Sequence, residues 1–386
     1  MNCIGRNIFS GGDELVTLEF DTAISHVDPF LGRAPATRDE WLAPGFVDLQ
    51  VNGFSQAADY NRPTTTLEAI EASLQAIFAT GVTRFFPTVI TAAPDAMTAA
   101  LANLAHAREV LPHGHALEAF HVEGPHISLD DGPRGAHPAR WVRPPDIEEY
   151  HRWQDAARGN VKLVTIGPEW AGAPQYIEKL TSEGVIVSIG HTAATPEQIQ
   201  DAVRAGATFS THLGNAGHPV LPRHRNYIWE QLAEDRLTAG FIVDDFHLPD
   251  AFLRVALRAK GVDRSVLVTD AVGPSLGEIE LDHLPGDKVV LKGGTRLAGS
   301  GLRMDRAIAN VVRRGGTSLR DAVIMATINP ARVGRVRARL RGLQPGERAD
   351  LVRFRWDDGQ LTVLETYLNG ERVFRGAHST GRIRPG

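Results

Sequence analysis

From Pro44 onward the chain alternates short β-rich runs with amphipathic helical stretches, and this alternation narrows the possible folds more than any other feature. It is the pattern of parallel strands joined by crossover helices. The strand candidates cover residues 45–51, 82–89, 117–122, 161–166, 185–189, 207–211, 238–243 and 265–269. Between the first two, Leu67, Ile70, Leu74, Ile77 and Phe78 fall on one helical face, with Thr64, Thr65 and Thr66 as N-cap candidates and Gly81 as the stop. Further helices are expected over 196–205 and 249–260. Eight such strands predict a closed (β/α)8 TIM-type barrel rather than an open sheet. Each run is apolar on both sides, as a strand covered by helices outside and packed side chains inside must be.

The two ends of the chain read differently. Residues 15–27 and 350–374 alternate in strand fashion, with turns at Asp357-Asp358-Gly359 and at Asn369-Gly370, the latter a hairpin signal. Neither end is long enough for a stable sheet of its own. They are expected to combine into one small β-sandwich domain, built from 1–43 and 343–386, on a barrel spanning 44–342. The tail after Gly376 is polar and is expected to be loosely held.

Composition excludes several function classes. With 42% hydrophobic and 23% charged residues and a net charge of -5, neither nucleic acid nor an anionic membrane is a natural partner. Basic residues are scattered except over 335–341, which reads as a solvated helix end or loop. The single cysteine, Cys3, rules out an internal disulfide and a thiolate metal site and fits a reducing compartment. Residues 1–20 lack a basic start followed by an apolar core, and no apolar run is long enough to span a bilayer. A cytoplasmic location is expected.

In a (β/α)8 barrel, catalytic side chains come from the C-terminal ends of the strands. Those positions carry Gln50 and Asn52, His121 and Glu123, Glu169, His191, His212, Asp244 and His247, and Asp270. A lone histidine at a strand end is more often a hydrogen-bonded structural residue than a ligand. Here Glu123, His191 and His212 together make one carboxylate and two imidazoles, a set suited to a catalytic metal with an open position for water. A borderline ion such as Zn2+ or Fe2+ suits that mixture and would activate a water. Asp270 is placed to take a proton from that water and pass it to a leaving amine. Asp48 lies inside the first strand and reads as a brace, and Asp244 as a possible cap of the following helix.

These motifs resemble the N-acetylglucosamine-6-phosphate deacetylase family of the amidohydrolase superfamily. The resemblance rests on 44–48 (PGFVD), 121–125 (HVEGP), 135–137 (GAH), 190–192 (GHT), 211–216 (THLGNA) and 268–271 (VTDA). It extends through 297–300 (LAGS) and 329–332 (NPAR). The His-x-Glu-Gly-Pro and Thr-His-x-x-Asn-Ala segments are specific to this family, and the Asn-Pro-Ala and Val-Thr-Asp segments are shared more widely. The resemblance implies Glu123, His191 and His212 as metal ligands and Asp270 as general base and acid. It implies that His137 holds and polarises the acyl carbonyl, and that Asn215, Ala216 and His247 hold the sugar phosphate. It also implies a homodimer in which part of the phosphate site reaches across from the partner.

Many amidohydrolases carry His-x-His on the first strand for a second metal, whereas this chain has Gln50-Val51-Asn52. Amides are poor Zn2+ ligands, so one divalent ion is expected, Zn2+ first, with Fe2+ or Mn2+ as alternatives. Gln50 and Asn52 then read as partners of the bound water or of a neighbouring strand. After Ala216 the family's Gly-Arg-x-Pro-Gly type of loop is replaced by 218–226 (HPVLPRHRN). Arg223 aligns with the phosphate-gripping arginine and Arg225 is its rival. The implied reaction is hydrolysis of an N-acetylhexosamine 6-phosphate to acetate and amino sugar phosphate. The altered loop keeps open an unphosphorylated N-acetyl sugar or another N-acyl amine as the substrate. A barrel that only binds or assembles is the remote alternative, since it would be expected to lack one of the four central residues.

Overall fold

The computed structural model describes residues 1–10, 15–32 and 39–377. The expectation for the tail lies, from residue 378, outside the described residues. All eight expected barrel strands form, as Phe46–Val51, Val82–Ile90, Phe120–Glu123, Val161–Ile166, Ile186–Ile189, Phe209–Ser210, Thr238–Phe241 and Ser265–Leu267. They pair in parallel in chain order. The ring closes through the backbone just past the first and last strands. Asp270 N donates to Gln50 O at 3.0 Å and Asn52 N to Ala271 O at 2.8 Å. The seam of the barrel therefore runs through three candidate site residues, Gln50, Asn52 and Asp270.

Local signals explain the helices between the strands. Leu67–Phe78 starts where Thr66 accepts from the amide of Ala69 and buries Ile70, Leu74, Ile77 and Phe78. Pro196–Arg204 begins with a capping box between Thr195 and Gln198. Inside the barrel, hydroxyls and one imidazole form a buried belt: His121 Nε2 meets Thr165 Oγ1 at 2.7 Å, Thr165 meets Thr211 at 2.7 Å, and Thr211 meets Ser188 at 2.5 Å. His121 is thus a structural member of the interior, and burial pushes its pKa down to about 4, keeping the ring neutral.

The chain ends form one seven-stranded sheet. Three strands lie between Leu15–Phe20 and Gln360–Leu368, so a flat sheet would hold them about 19 Å apart. Yet the rings of Phe20 and Tyr367 meet at 5.3 Å, so the sheet curls over its own core of Cys3, Leu18, Ile24, Leu42 and Leu351. Both expected turns form at paired positive φ, Asp358 (47°) with Gly359 (71°) and Asn369 (48°) with Gly370 (82°).

The terminal sheet is tied to the barrel by ionic contacts as well as apolar ones. Asp350, fully buried, accepts from Arg84 Nε at 2.8 Å and Arg339 Nη1 at 2.8 Å, and its backbone oxygen receives the amide of Gly45. This corrects one expectation. Arg335 and Arg341 in the basic run are exposed, but Arg339 is buried, because the carboxylate of Asp350 is enclosed there and needs cationic partners. Among the described residues, no helix is long and apolar enough to cross a membrane.

Candidate active site

The candidate residues converge because the strand ends bend sharply. His191, His212 and Asp270 each sit at positive φ (49°, 28° and 51°), where the chain leaves the barrel wall and aims the side chain inward. Such backbone is costly for non-glycine residues and clusters at functional sites. His191 Nε2 lies 3.2 Å from Glu123 Oε1 and 3.1 Å from His212 Nε2, and His212 Nε2 lies 3.0 Å from Glu123 Oε1. These three ligand-type atoms lie within 4.8 Å of one another, and all three residues are buried.

The donor chemistry of this cluster fits a cation. His191 Nδ1 lies 3.0 Å from the carbonyl oxygen of Pro133, so it carries the ring proton and leaves Nε2 bare. Glu123 is held ionised, its carboxyl well below the usual range: burial opposes this, but the contacts with the imidazoles of His191 and His212 outweigh it. Burial likewise opposes a charge on His212, yet Glu123 leaves its pKa raised. Two imidazole nitrogens and a carboxylate oxygen pressed together at 3.0–3.2 Å form a cradle for a divalent ion.

Asp270 stands beside this cluster. Its Oδ1 accepts from Asn52 Nδ2 at 2.6 Å and from Gln50 Nε2 at 3.0 Å, while the same Gln50 nitrogen donates to Glu123 Oε1 at 2.8 Å. Burial, reinforced by the Glu123 charge, raises the Asp270 pKa to about 6. Gln50 and Asn52 therefore contact neighbouring carboxylates directly. Asp48 braces the seam, accepting from Thr269 Oγ1 at 2.6 Å, and burial raises its pKa to about 7.

His137 is buried, with its ring 4.3 Å from that of His191 and Nε2 4.0 Å from Glu123 Oε2. Burial holds its pKa well below the usual histidine range, so the ring is neutral. Asp244 does not cap the next helix, which starts at Asp250. It accepts instead from His247 Nδ1 at 2.7 Å and orients that ring. Glu169 accepts from Thr192 Oγ1 at 2.6 Å and Ala193 N at 2.9 Å, fixing the loop that carries His191.

The cluster opens onto one cavity of about 400 Å³, the size of a small-molecule site. Its wall includes Asn52, Glu123, His137, His191, His212, Asn215, Ala216, His247 and Asp270. Arg223 and Arg225 are not on it. Arg223 is exposed on its loop, and Arg225 pairs with Glu197. The arginine on the wall is Arg296, which the sequence reading missed. It pairs with Asp131 at 2.5 Å and donates to Gly135 O at 3.1 Å, tying two rim loops together. Its one sequence signal was adjacency to the 297–300 motif, whose Leu297, Ala298 and Gly299 also line the wall. The 329–332 motif is remote from the cavity: Asn329 Nδ2 caps Val262 O (2.7 Å) and Ser265 O (2.9 Å) at the start of the last strand.

Residues 41–373 match the Amidohydrolase family. The chain is 34% identical to the N-acetylglucosamine-6-phosphate deacetylase of Danio rerio, over 86% of this chain and 84% of that one. It is also 34% identical to the N-acetylgalactosamine-6-phosphate deacetylase of Shewanella sp., over 86% and 83%. A solved structure of a mutant N-acetyl-D-glucosamine-6-phosphate deacetylase from Mycobacterium smegmatis, in complex with N-acetyl-D-glucosamine-6-phosphate, superimposes with a TM-score of 0.84. It is 30% identical, and the match covers 96% of this chain and 99% of that one.

Proposed function

The chain belongs to the amidohydrolase family, and on that premise we propose that it is a metal-dependent deacetylase acting on an N-acetylhexosamine 6-phosphate, N-acetylglucosamine 6-phosphate first. The products are the amino sugar phosphate and acetate. The observation that carries this reading is the meeting of Glu123, His191 and His212 with Asp270 and His137 on one cavity wall.

Glu123, His191 and His212 would hold a single divalent ion, Zn2+ by preference, with Fe2+ or Mn2+ as alternatives. Such an ion makes water more acidic and polarises an acyl oxygen. The chain's own groups supply the rest. Asp270 takes the proton from the attacking water and delivers it to the leaving nitrogen. Asn52 and Gln50 both engage Oδ1, which leaves Oδ2 to carry the proton. A pKa near 6 lets the carboxylate work as a base close to neutral pH. His137 donates from Nε2 to the acyl oxygen as charge develops on it.

Asn215, Ala216 and His247 hold the sugar phosphate at the cavity mouth. Arg223 does not reach its own cavity, and we assign it to the cavity of a second copy in a homodimer. Exposed apolar side chains around the same loop support a partner there: Leu129 is 57%, Val220 85% and Trp229 50% exposed. The His218 to Asp130 contact at 3.3 Å links the two segments that carry Leu129 and Val220. A cytoplasmic setting suits a chain whose one cysteine stays a buried thiol.

The testing experiment is acetate release by metal-loaded protein from gluco and galacto epimers, each with and without the 6-phosphate. Turnover of a phosphorylated epimer above its free sugar is expected. No acetate release with Zn2+, Fe2+ or Mn2+ would overturn the proposal, and preference for a free sugar would return the substrate to the unphosphorylated alternative.

A further inference from the structure

The wall residue His137 has a second contact, away from the cavity. Its Nδ1 lies 2.7 Å from Oγ1 of Thr91, a buried residue directly after the strand Val82–Ile90. The other neighbour of this hydroxyl is the backbone oxygen of Glu123, at 3.5 Å. The backbone is shaped around the hydroxyl. Gly124 sits at φ 78°, and a Cβ there would lie 2.2 Å from Thr91 Oγ1. The glycine of the His-x-Glu-Gly-Pro segment thus keeps open the space that Thr91 Oγ1 occupies.

Counting protons gives the pair a chemical meaning. A neutral imidazole has one N–H and one bare nitrogen. The threonine hydroxyl has one proton and two acceptors within reach. A contact of 2.7 Å is a normal hydrogen bond, whereas 3.5 Å lies beyond the usual O–H···O range. Donation to Nδ1 makes that nitrogen the acceptor and leaves the ring proton on Nε2, the nitrogen nearer Glu123 and the cavity.

We propose that Thr91 is a positioning residue that fixes His137 in the Nε2–H tautomer, so that the imidazole presents a donor to the acyl oxygen. The proposal rests on the role given to His137 above. Without the hydroxyl, Nδ1 would keep the proton for part of the time and Nε2 would then present a lone pair to the oxygen it has to stabilise. The loss would fall on the chemical step rather than on substrate binding.

The test uses the metal-loaded enzyme and a double-mutant cycle. Thr91→Val, which keeps the shape and removes the hydroxyl, should lower kcat about tenfold to a hundredfold, with KM within about twofold. Thr91→Ser should restore most of that loss. In a His137→Ala background, Thr91→Val should cost nothing further. On an N-trifluoroacetyl substrate, whose carbonyl needs less polarisation, the Thr91→Val loss should shrink. Equal losses in both backgrounds, or a serine variant as damaged as the valine one, would overturn the proposal and leave the reading of His137 standing. Full kcat in His137→Ala would remove both. Nitrogen-15 spectra of the zinc-loaded parent enzyme need no variant at Thr91. They should show His137 protonated at Nε2 and bare at Nδ1, and the reverse assignment would overturn the proposal.

Discussion

Asn52 donates its side-chain amide to Oδ1 of Asp270 over 2.6 Å, joining the first and last strands of the barrel at the carboxylate proposed to move the proton. This bond favours the ionised form of Asp270 against a burial that favours the neutral one.

The pH dependence follows from that balance. A general base works only when ionised, so kcat/KM should fall as the pH drops through the Asp270 pKa, near 6 without an ion and lower with a cation beside it. Asn52→Leu removes a bond to the charged form, so the acid limb should move to higher pH by about one unit. Asp270→Asn should abolish turnover at every pH. A profile of kcat/KM between pH 4 and 9 checks all three, and an acid limb unmoved in Asn52→Leu would count against the role given to Asp270.

Metal content is the second expectation. The purified protein should carry about one divalent ion per chain, and a chelator should remove activity that Zn2+, Fe2+ or Mn2+ restores. Gln50 and Asn52 occupy the first-strand positions at which the amidohydrolase resemblance implies a histidine pair for a second ion. Changing both to histidine should raise the content toward about two per chain by elemental analysis. Content unchanged at one would mean that the amides are not what limits the count.

Arg223 should act in trans. Alone, Arg223→Ala should raise KM for the 6-phosphate about tenfold or more and leave the free sugar unaffected. Mixing this variant with Asp270→Asn, under conditions where subunits exchange, should restore up to about one quarter of parental activity, because one site of each hybrid dimer is intact. If mixing restores nothing, the loop serves its own chain.

Asp350 should govern acid stability. Burial alone would raise its pKa, but Arg84 and Arg339 outweigh burial and hold it at about 2, below the 3.8 of an unfolded carboxylate. The native state therefore binds fewer protons than the unfolded state between these values. The resulting stabilisation, about 2 kcal/mol, is present above pH 4 and is lost as the pH falls toward 2. Asp350→Asn leaves two buried guanidinium groups short of a counter-charge and should cost about 3–5 kcal/mol at pH 7. Urea unfolding at pH 7, 4 and 3 measures both effects.

The barrel was legible because its strands are short runs dominated by apolar residues and the helices between them carry periodic apolar faces, patterns that local sequence expresses directly, although the interior also holds the polar belt of His121, Thr165, Ser188 and Thr211. Glu123, His191, His212 and Asp270 were legible because barrel topology sends every strand end to one rim. Thr91, Asp131 and Arg296 were not, since a threonine after a strand or an arginine in a turn looks the same whether it faces solvent or a cavity. Arg339 was misread for a related reason: a run of arginines gives no sign that one of them turns inward to a carboxylate eleven residues later.

By itself, then, the sequence determined the order of strands and helices, the turns of the terminal sheet and the set of polar residues at the rim. These depend on spacing and residue type along the chain. Only the tertiary structure decided which atoms meet: Gln50 bridging Glu123 and Asp270, Thr91 against His137, and Arg223 outside its own cavity. The physical reason is that these contacts depend on the closure of the barrel and on the positive φ values at its strand ends. Closure brings together residues as far apart as Asn52 and Asp270, and no spacing rule along the chain records a distance that closure sets.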